Sequence, residues 1–156
     1  MSVPMFKNES QVVSIETSFT NALVEEFSRS QVARVVTDSQ APVKVEGTIV
    51  KVEYLPEGKR VGGANEALSE LPTGAVLATN YRIYVTIHLK LVRVSDRKIL
   101  WHGNFKDERI YAAPQLESGL INSANALYNH SARQINIAEL AVSMMSEAHD
   151  RMTETF

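Results

Sequence analysis

The sequence predicts an α+β domain of two layers: a mixed four- to five-stranded sheet with two helices packed on one face. Three observations predict it. Between Tyr81 and Leu91 every odd position is apolar or aromatic, while Arg82, Tyr84, Thr86, His88 and Lys90 fill the even ones, the period of a strand with one dry and one wet face. After a tight turn at Ser95-Asp96-Arg97-Lys98, a second run from Ile99 to about Tyr111 completes an antiparallel hairpin. Two further segments, one towards each end of the chain, repeat apolar residues at helical spacing.

Ser2 to Phe6 reads as a short strand, in which Pro4 is tolerable only on an edge or near the start. Lys7 to Val13 is a polar connector. A helix is expected from about Ser14 to Ser28, because Ile15, Phe19, Ala22, Leu23 and Phe27 fall on one face. Ser14 is the candidate N-cap, and Glu16 places a negative charge in the first turn. Val32 to Thr37 is a β-branched run ending at the turn-prone Asp38-Ser39-Gln40. A longer strand spans about Val43 to Tyr54; Val43, Val45 and Ile49 share one parity and Val50, Val52 and Tyr54 the other, which suggests a bulge near Gly47 or a strand passing between two environments.

Residues 56–78 read as a long loop, broken by Pro56, Gly58, Gly62, Gly63, Pro72 and Gly74, and connections of that length are normally functional or disordered. In the return strand Ile99, Trp101 and Phe105 share a parity interrupted by Gly103. Residues 112–129, with Pro114 and Gly119, read as a link with a short helix. The last helix, about Ser131 to Thr153, gathers Ile137, Ala138, Ala141, Met144, Met145, Ala148 and Met152 on one side and Arg133, Asn136, Glu139, Ser143, Glu147 and Asp150 on the other. The first strand–helix–strand unit should be a right-handed parallel crossover, and residues 1–156 should form a single domain.

Composition narrows the function. With 18 acidic against 16 basic residues the net charge is −2, which argues against a bulk attraction to nucleic acid or to an anionic membrane and leaves only a local basic patch to supply one. Without cysteine there is no disulfide, thiol nucleophile or thiolate metal site. No apolar run approaches the ~20 residues needed to cross a bilayer. The chain starts almost directly on strand-like residues, so a signal peptide and leader are expected to have been removed and Met1-Ser2 to be foreign to the mature protein.

Enzyme signatures are missing. Val61-Gly62-Gly63-Ala64 has neither the spacing nor the Lys-Ser/Thr of a phosphate loop, and there is no Gly-x-Ser-x-Gly elbow. His88, His102, His130 and His149 do not pair at ligand spacing, so no metal site is expected; His88 reads as a surface residue, His102 as structural and His149 as a boundary residue of the last helix. Asp107 and Glu108 are neighbours in a strand and point to opposite faces, so they cannot act as a carboxylate pair. What remains is the polar sheet face. Arg82, Lys90 and Lys106 lie on it, and Lys59 and Arg60 in the 56–78 loop would extend from one end. Such a stripe is usually a solvated face; here it is also the candidate anion or lipid site, since two helices leave one face uncovered.

The segments, taken in order, resemble the LptE-type family of lipopolysaccharide-assembly lipoproteins. Val3-Pro-Met-Phe-Lys-Asn-Glu-Ser10 is similar to that family's opening, and the helix ending Leu23-Val-Glu-Glu-Phe27 to its first helix. Val35-Val-Thr-Asp38 and Val45-Glu-Gly-Thr-Ile49 resemble its second and third strands; Tyr81-Arg-Ile-Tyr-Val85, Asp96-Arg-Lys-Ile-Leu-Trp101 and Gly103-Asn-Phe105 its central hairpin; and Glu147 to Phe156 its close. The resemblance implies a non-enzymatic lipoprotein on the periplasmic face of the outer membrane, anchored through a lipidated N-terminal cysteine that this chain lacks. It implies a complex with a large β-barrel whose lumen it partly plugs, a role in barrel assembly and lipopolysaccharide insertion, direct contact with that lipid as a further expectation, and no cofactor. A different periplasmic lipoprotein of similar build, a secretion-pore component or a peptidoglycan-synthase activator, is the alternative.

Overall fold

The structure, a computed structural model, describes residues 1–61, 76–112 and 126–154. Its centre is the expected hairpin. Strands β3 (Val76–Arg93) and β4 (Ile99–Ala112) pair antiparallel from Asn80↔Ala112 to Leu91↔Trp101. The alternation of β3 sorts its faces: Ile83, Val85, Ile87, Leu89 and Leu91 are each at most 1% exposed, whereas His88 and Lys90 face solvent. One residue breaks the expected pattern. The register slips between Leu91 and Val92, and Ile99, expected on the inner face with Trp101 and Phe105, is exposed beyond the slip.

Strand β2 (Val43–Val61) pairs antiparallel with β3 along its length. The parity switch in the sequence is a real bulge, between Ile49 and Lys51 rather than at Gly47; before it Val45 and Ile49 are fully buried, after it Val52 and Tyr54 pack against the same core. The strand does not stop at Tyr54. Pro56 pairs with Tyr81, and the ladder runs on to Val61↔Val76, so both ends of the expected 56–78 loop are strand. Pro56 is compatible because β2 has no outer neighbour there among the described residues, and a proline on a free edge removes no ladder bond. Residues 62–75, the middle of that loop, lie outside the described residues.

The N-terminal segment runs parallel to β2. Its regular pairing, β1 (Lys7–Asn8 with Thr48–Ile49), falls just after the expected Ser2–Phe6 strand, which makes a single bridge, Ser2↔Lys44. Phe6 sits over Gly47, where a Cβ would meet its ring at 2.5 Å, and its N–H donates to Thr20 Oγ1 at 3.0 Å. The four strands form one mixed sheet in the order β1-β2-β3-β4.

Helix α1 (Glu16–Ser30) buries Phe19, Ala22, Leu23 and Phe27, the expected face, with Ile15 buried just ahead of it. Ser14 is not its N-cap: it takes the left-handed conformation (φ 65°), and Ile15 stands at the cap without a side-chain bond. Asn8 ties the entry instead, its Nδ2 donating to Val12 O and Glu16 Oε2. Val32 to Thr37 is not a strand; it bonds the N-terminus through Val36 N to Met1 O (2.9 Å) and leads into a short 3-10 turn at Asp38–Gln40.

Helix α2 (Ala126–Thr153) starts earlier than expected. Its inner stripe is Ile137, Leu140, Ala141, Met144, Met145, Ala148 and Met152; Ala138, expected inside, faces out and Leu140 takes its place at the i+3 position from Ile137. Both helices join the inner sheet residues in one core, each fully buried aliphatic side chain contributing roughly 1.5–3 kcal/mol. Except at its two ends, 113–125 of the 112–129 link lies outside the described residues.

Candidate functional site

The sheet face away from the helices is built in rows, because paired residues on adjacent strands share a face. Tyr84 is flanked by Glu53 and Glu108, and the next row places Thr86 between Lys51 and Lys106. An acidic row thus lies against a basic one, about 7 Å along the strands. Leu55 and Ile110, both about half exposed, flank Arg82 one row further up. Lys51, Glu53, Leu55, Tyr84, Thr86 and Lys106 line an open groove of about 640 Å³ on this face.

The residues expected to bind an anion all belong to this sheet, but they do not converge. Arg82 is held by two carboxylates, donating to Glu57 Oε1 at 2.6 Å and to Glu108 Oε1. The bond to Glu57 raises its already high pKa, with both carboxylates adding to the effect. Its charge is therefore compensated. Lys90 stands eight residues along β3, about 26 Å from Arg82, beside Glu46 and His102. Lys106 sits between them, and no carboxylate pairs with Lys90 or Lys106 among the described residues. Lys59 and Arg60 lie on β2, not in a loop; their side chains lie outside the described residues.

Sequence reasoning missed two groups. Lys51 joins Lys106 across Thr86, a pairing visible only once the bulge at Val50 has set the register. Arg133 was expected on the polar side of α2, yet its guanidinium lies 4.5 Å from the Tyr54 ring centroid with a buried Nε. Tyr81 stacks on Tyr111 nearby, with ring centroids 5.7 Å apart. Burial pushes the hydroxyls of Tyr54 and Tyr111 above their usual acidity range, and the Arg133 charge opposes it. The signal was faint: a cation one turn before Ile137, above strand ends whose extension the sequence hid.

His149 is buried between the helices rather than at a boundary. Its Nε2 lies 2.8 Å from Ser30 Oγ and its Nδ1 3.1 Å from Asp150 Oδ1, with Phe27 edge-on at 4.8 Å. Every polar partner it needs is local, so it reads as a satisfied core histidine. Among the described residues no three His, Asp or Glu gather as a metal site, and no helix is long and apolar enough to cross a membrane.

No curated protein sequence matches the chain. Solved structures do. Rare lipoprotein B from Shewanella oneidensis is similar at TM-score 0.52 and 9% identity, over 99% of this chain and 96% of that one. A Xanthomonas campestris protein reaches TM-score 0.57 at 10% identity, over 99% and 83%. A point variant of the PelC dodecamer from Paraburkholderia phytofirmans reaches 0.52 at 11% identity, over 94% and 81%. At such identities these likenesses speak for the fold alone. The family model for LptE, described as lipopolysaccharide-assembly, matches residues 1–154, and the chain therefore belongs to the LptE family of lipopolysaccharide-assembly proteins.

Proposed function

We propose that this chain is the single folded domain of a non-enzymatic, lipid-anchored accessory protein on the periplasmic face of the outer membrane. It binds the large β-barrel that inserts lipopolysaccharide into the outer leaflet and assists that barrel's assembly. The observation that carries the reading is the family match over residues 1–154, nearly the whole chain. Among the described residues no element covers the outer sheet face, and an open polar face of this kind can dock a partner of complementary charge.

Lipopolysaccharide is the second proposed partner, through its phosphates. Lys106, across Thr86 from Lys51, and Lys90 further along β3 are the cations best placed to meet an anion from solvent, whereas Lys51 is already paired with Glu53 at 2.8 Å. Arg82 would contribute only by exchanging Glu57 or Glu108 for the ligand; Lys59 and Arg60 extend the same strand system. No cofactor takes part. The test is an affinity pull-down from detergent-solubilised outer membranes of the native organism, with the full lipidated protein as bait. Recovery of one large β-barrel at near-equal stoichiometry is the expected result. Recovery of a cell-wall synthase or a homo-oligomeric pore instead would overturn the reading.

A further inference from the structure

Among the described residues, exposed apolar side chains and basic side chains without an ion pair gather at the β3–β4 turn. Val94, Ile99 and Leu100 are 44%, 50% and 39% exposed, although scattered single apolar residues are the rule on a surface. Between them come Asp96, Arg97 and Lys98. Asp96 is already paired with Arg93 at 3.2 Å, whereas Arg97 and Lys98 have no carboxylate partner among the described residues. The tip is also pre-formed. Arg93 N donates to Lys98 O, Lys98 N to Asp96 Oδ1, and Val94 N to Pro42 O, at 2.9, 3.1 and 2.9 Å.

We propose that this tip is a contact surface for an anionic phospholipid bilayer. Val94, Ile99 and Leu100 enter the headgroup boundary, while Arg97 and Lys98 lie along it with their charges at the lipid phosphates. A pre-formed tip loses little conformational freedom on binding. Topology supplies the second argument. Ser2 N bonds Val43 O at 3.0 Å and Val43 pairs with Arg93, so the segment leading into the domain lies about 10 Å, two strand spacings, from the base of the tip. In this respect the inference rests on the anchored-lipoprotein reading: an anchor preceding Ser2 would hold the tip against the same bilayer. On the outer sheet face the exposed Leu55 and Ile110 flank Arg82, whose charge Glu57 and Glu108 already hold, so apolar groups and an uncompensated cation do not meet there.

The test uses the chain without any lipid anchor, so that the tip alone is measured. Co-sedimentation is followed with vesicles of phosphatidylethanolamine containing about one-third phosphatidylglycerol, at ~0.05 M and ~0.5 M salt. Binding at low salt is expected. The double variant Arg97→Glu/Lys98→Glu should reduce the partition coefficient at least ~10-fold, and Ile99→Ser should weaken it severalfold. Thermal unfolding of each variant checks that the fold is intact, since all three positions are exposed. No binding at low salt, or binding indifferent to the double variant, overturns the inference. So does stronger binding to lipopolysaccharide-containing vesicles of equal surface charge, which would make the tip a lipopolysaccharide site. If the double variant of the full lipoprotein loses the barrel while vesicle binding stays normal, the tip faces protein and the inference fails, leaving the barrel reading intact.

Discussion

Replacing Gly47 by alanine isolates the contact that docks the N-terminal segment onto the sheet. An ideal Cβ at Gly47 lies 2.5 Å from Cγ, Cδ2 and Cε2 of Phe6. Carbon atoms prefer about 3.5–4.0 Å, so the ring must retreat by roughly 1 Å or more. Retreat is obstructed: Phe6 is 3% exposed and its own N–H is tied to Thr20 of α1. Overpacking of this kind costs about 1–3 kcal/mol, and replacing a strand glycine returns about 0.5–1 kcal/mol of backbone entropy. Mid-range values leave a net loss of about 1 kcal/mol, or roughly 2–4 °C in Tm for a domain of this size. Urea unfolding of Gly47→Ala, Phe6→Ala and the double variant separates the two terms. Once Phe6 is gone, the alanine should be neutral or stabilising, so the sign of its effect reverses and the coupling reaches about 1 kcal/mol. A Gly47→Ala protein as stable as wild type, or one whose loss persists without Phe6, would refute the reasoning.

Met145 is fully buried in the core, so Met145→Asp should lose at least ~4 kcal/mol or fail to fold; a wild-type melting curve would mean that the inner face of α2 is misplaced. Lys90→Ala, at an exposed position without an ion pair among the described residues, should leave Tm within about 2 °C, read by calorimetry. For Tyr54, burial holds the hydroxyl above its ordinary pKa of 10.0. The folded protein then keeps that proton longer than the unfolded chain, so this contribution is intact below pH 10.0 and is lost as pH rises above it. Tyr54→Phe should therefore flatten the alkaline fall in stability without loss at neutral pH, where the hydroxyl makes no hydrogen bond.

The legible parts of the fold were those in which a single period decides. Five inward residues of β3 and the stripe of α1 followed from alternation and helical spacing, because burial of one face leaves no other register. The bulge was readable as a parity switch, but its position was not, since Val50 fits either face and only the pairing of Lys51 with Thr86 settles it. Pro56 and Gly58 misled for the opposite reason: local chemistry marks them as breakers, yet the outer edge of β2, free there among the described residues, relieves the proline, and the ladder with β3 resumes beyond Gly58 at Lys59. Ser14 looked like a cap by residue type, whereas the left-handed turn at that position handed the helix entry to Asn8. At the site, face assignment located Arg82, Lys90 and Lys106 correctly on one surface. It could not foresee that Glu57 and Glu108, contributed by two other strands, neutralise the first of them.

That neutralisation bears on what can cover the sheet. An apolar partner burying this face would strand Lys106 and Lys90 without water or counter-charge and would strip water from the Lys51–Glu53 and Arg82–Glu108 pairs, and each stranded charge costs several kcal/mol. A polar surface with its own alternating charges loses nothing comparable, and the interior wall of a large outer-membrane barrel is polar for the same reason that its outside is not. If the chain sits in a barrel lumen, as the family resemblance implies, rows such as Glu53–Tyr84–Glu108 and Lys51–Thr86–Lys106 would be enclosed without being desolvated unpaired. The hairpin tip differs in kind, since Val94, Ile99 and Leu100 gain by leaving water while Arg97 and Lys98 keep to the phosphates. A domain with its polar face in a lumen and its apolar tip at the lipid boundary has each surface in the environment that its side chains require.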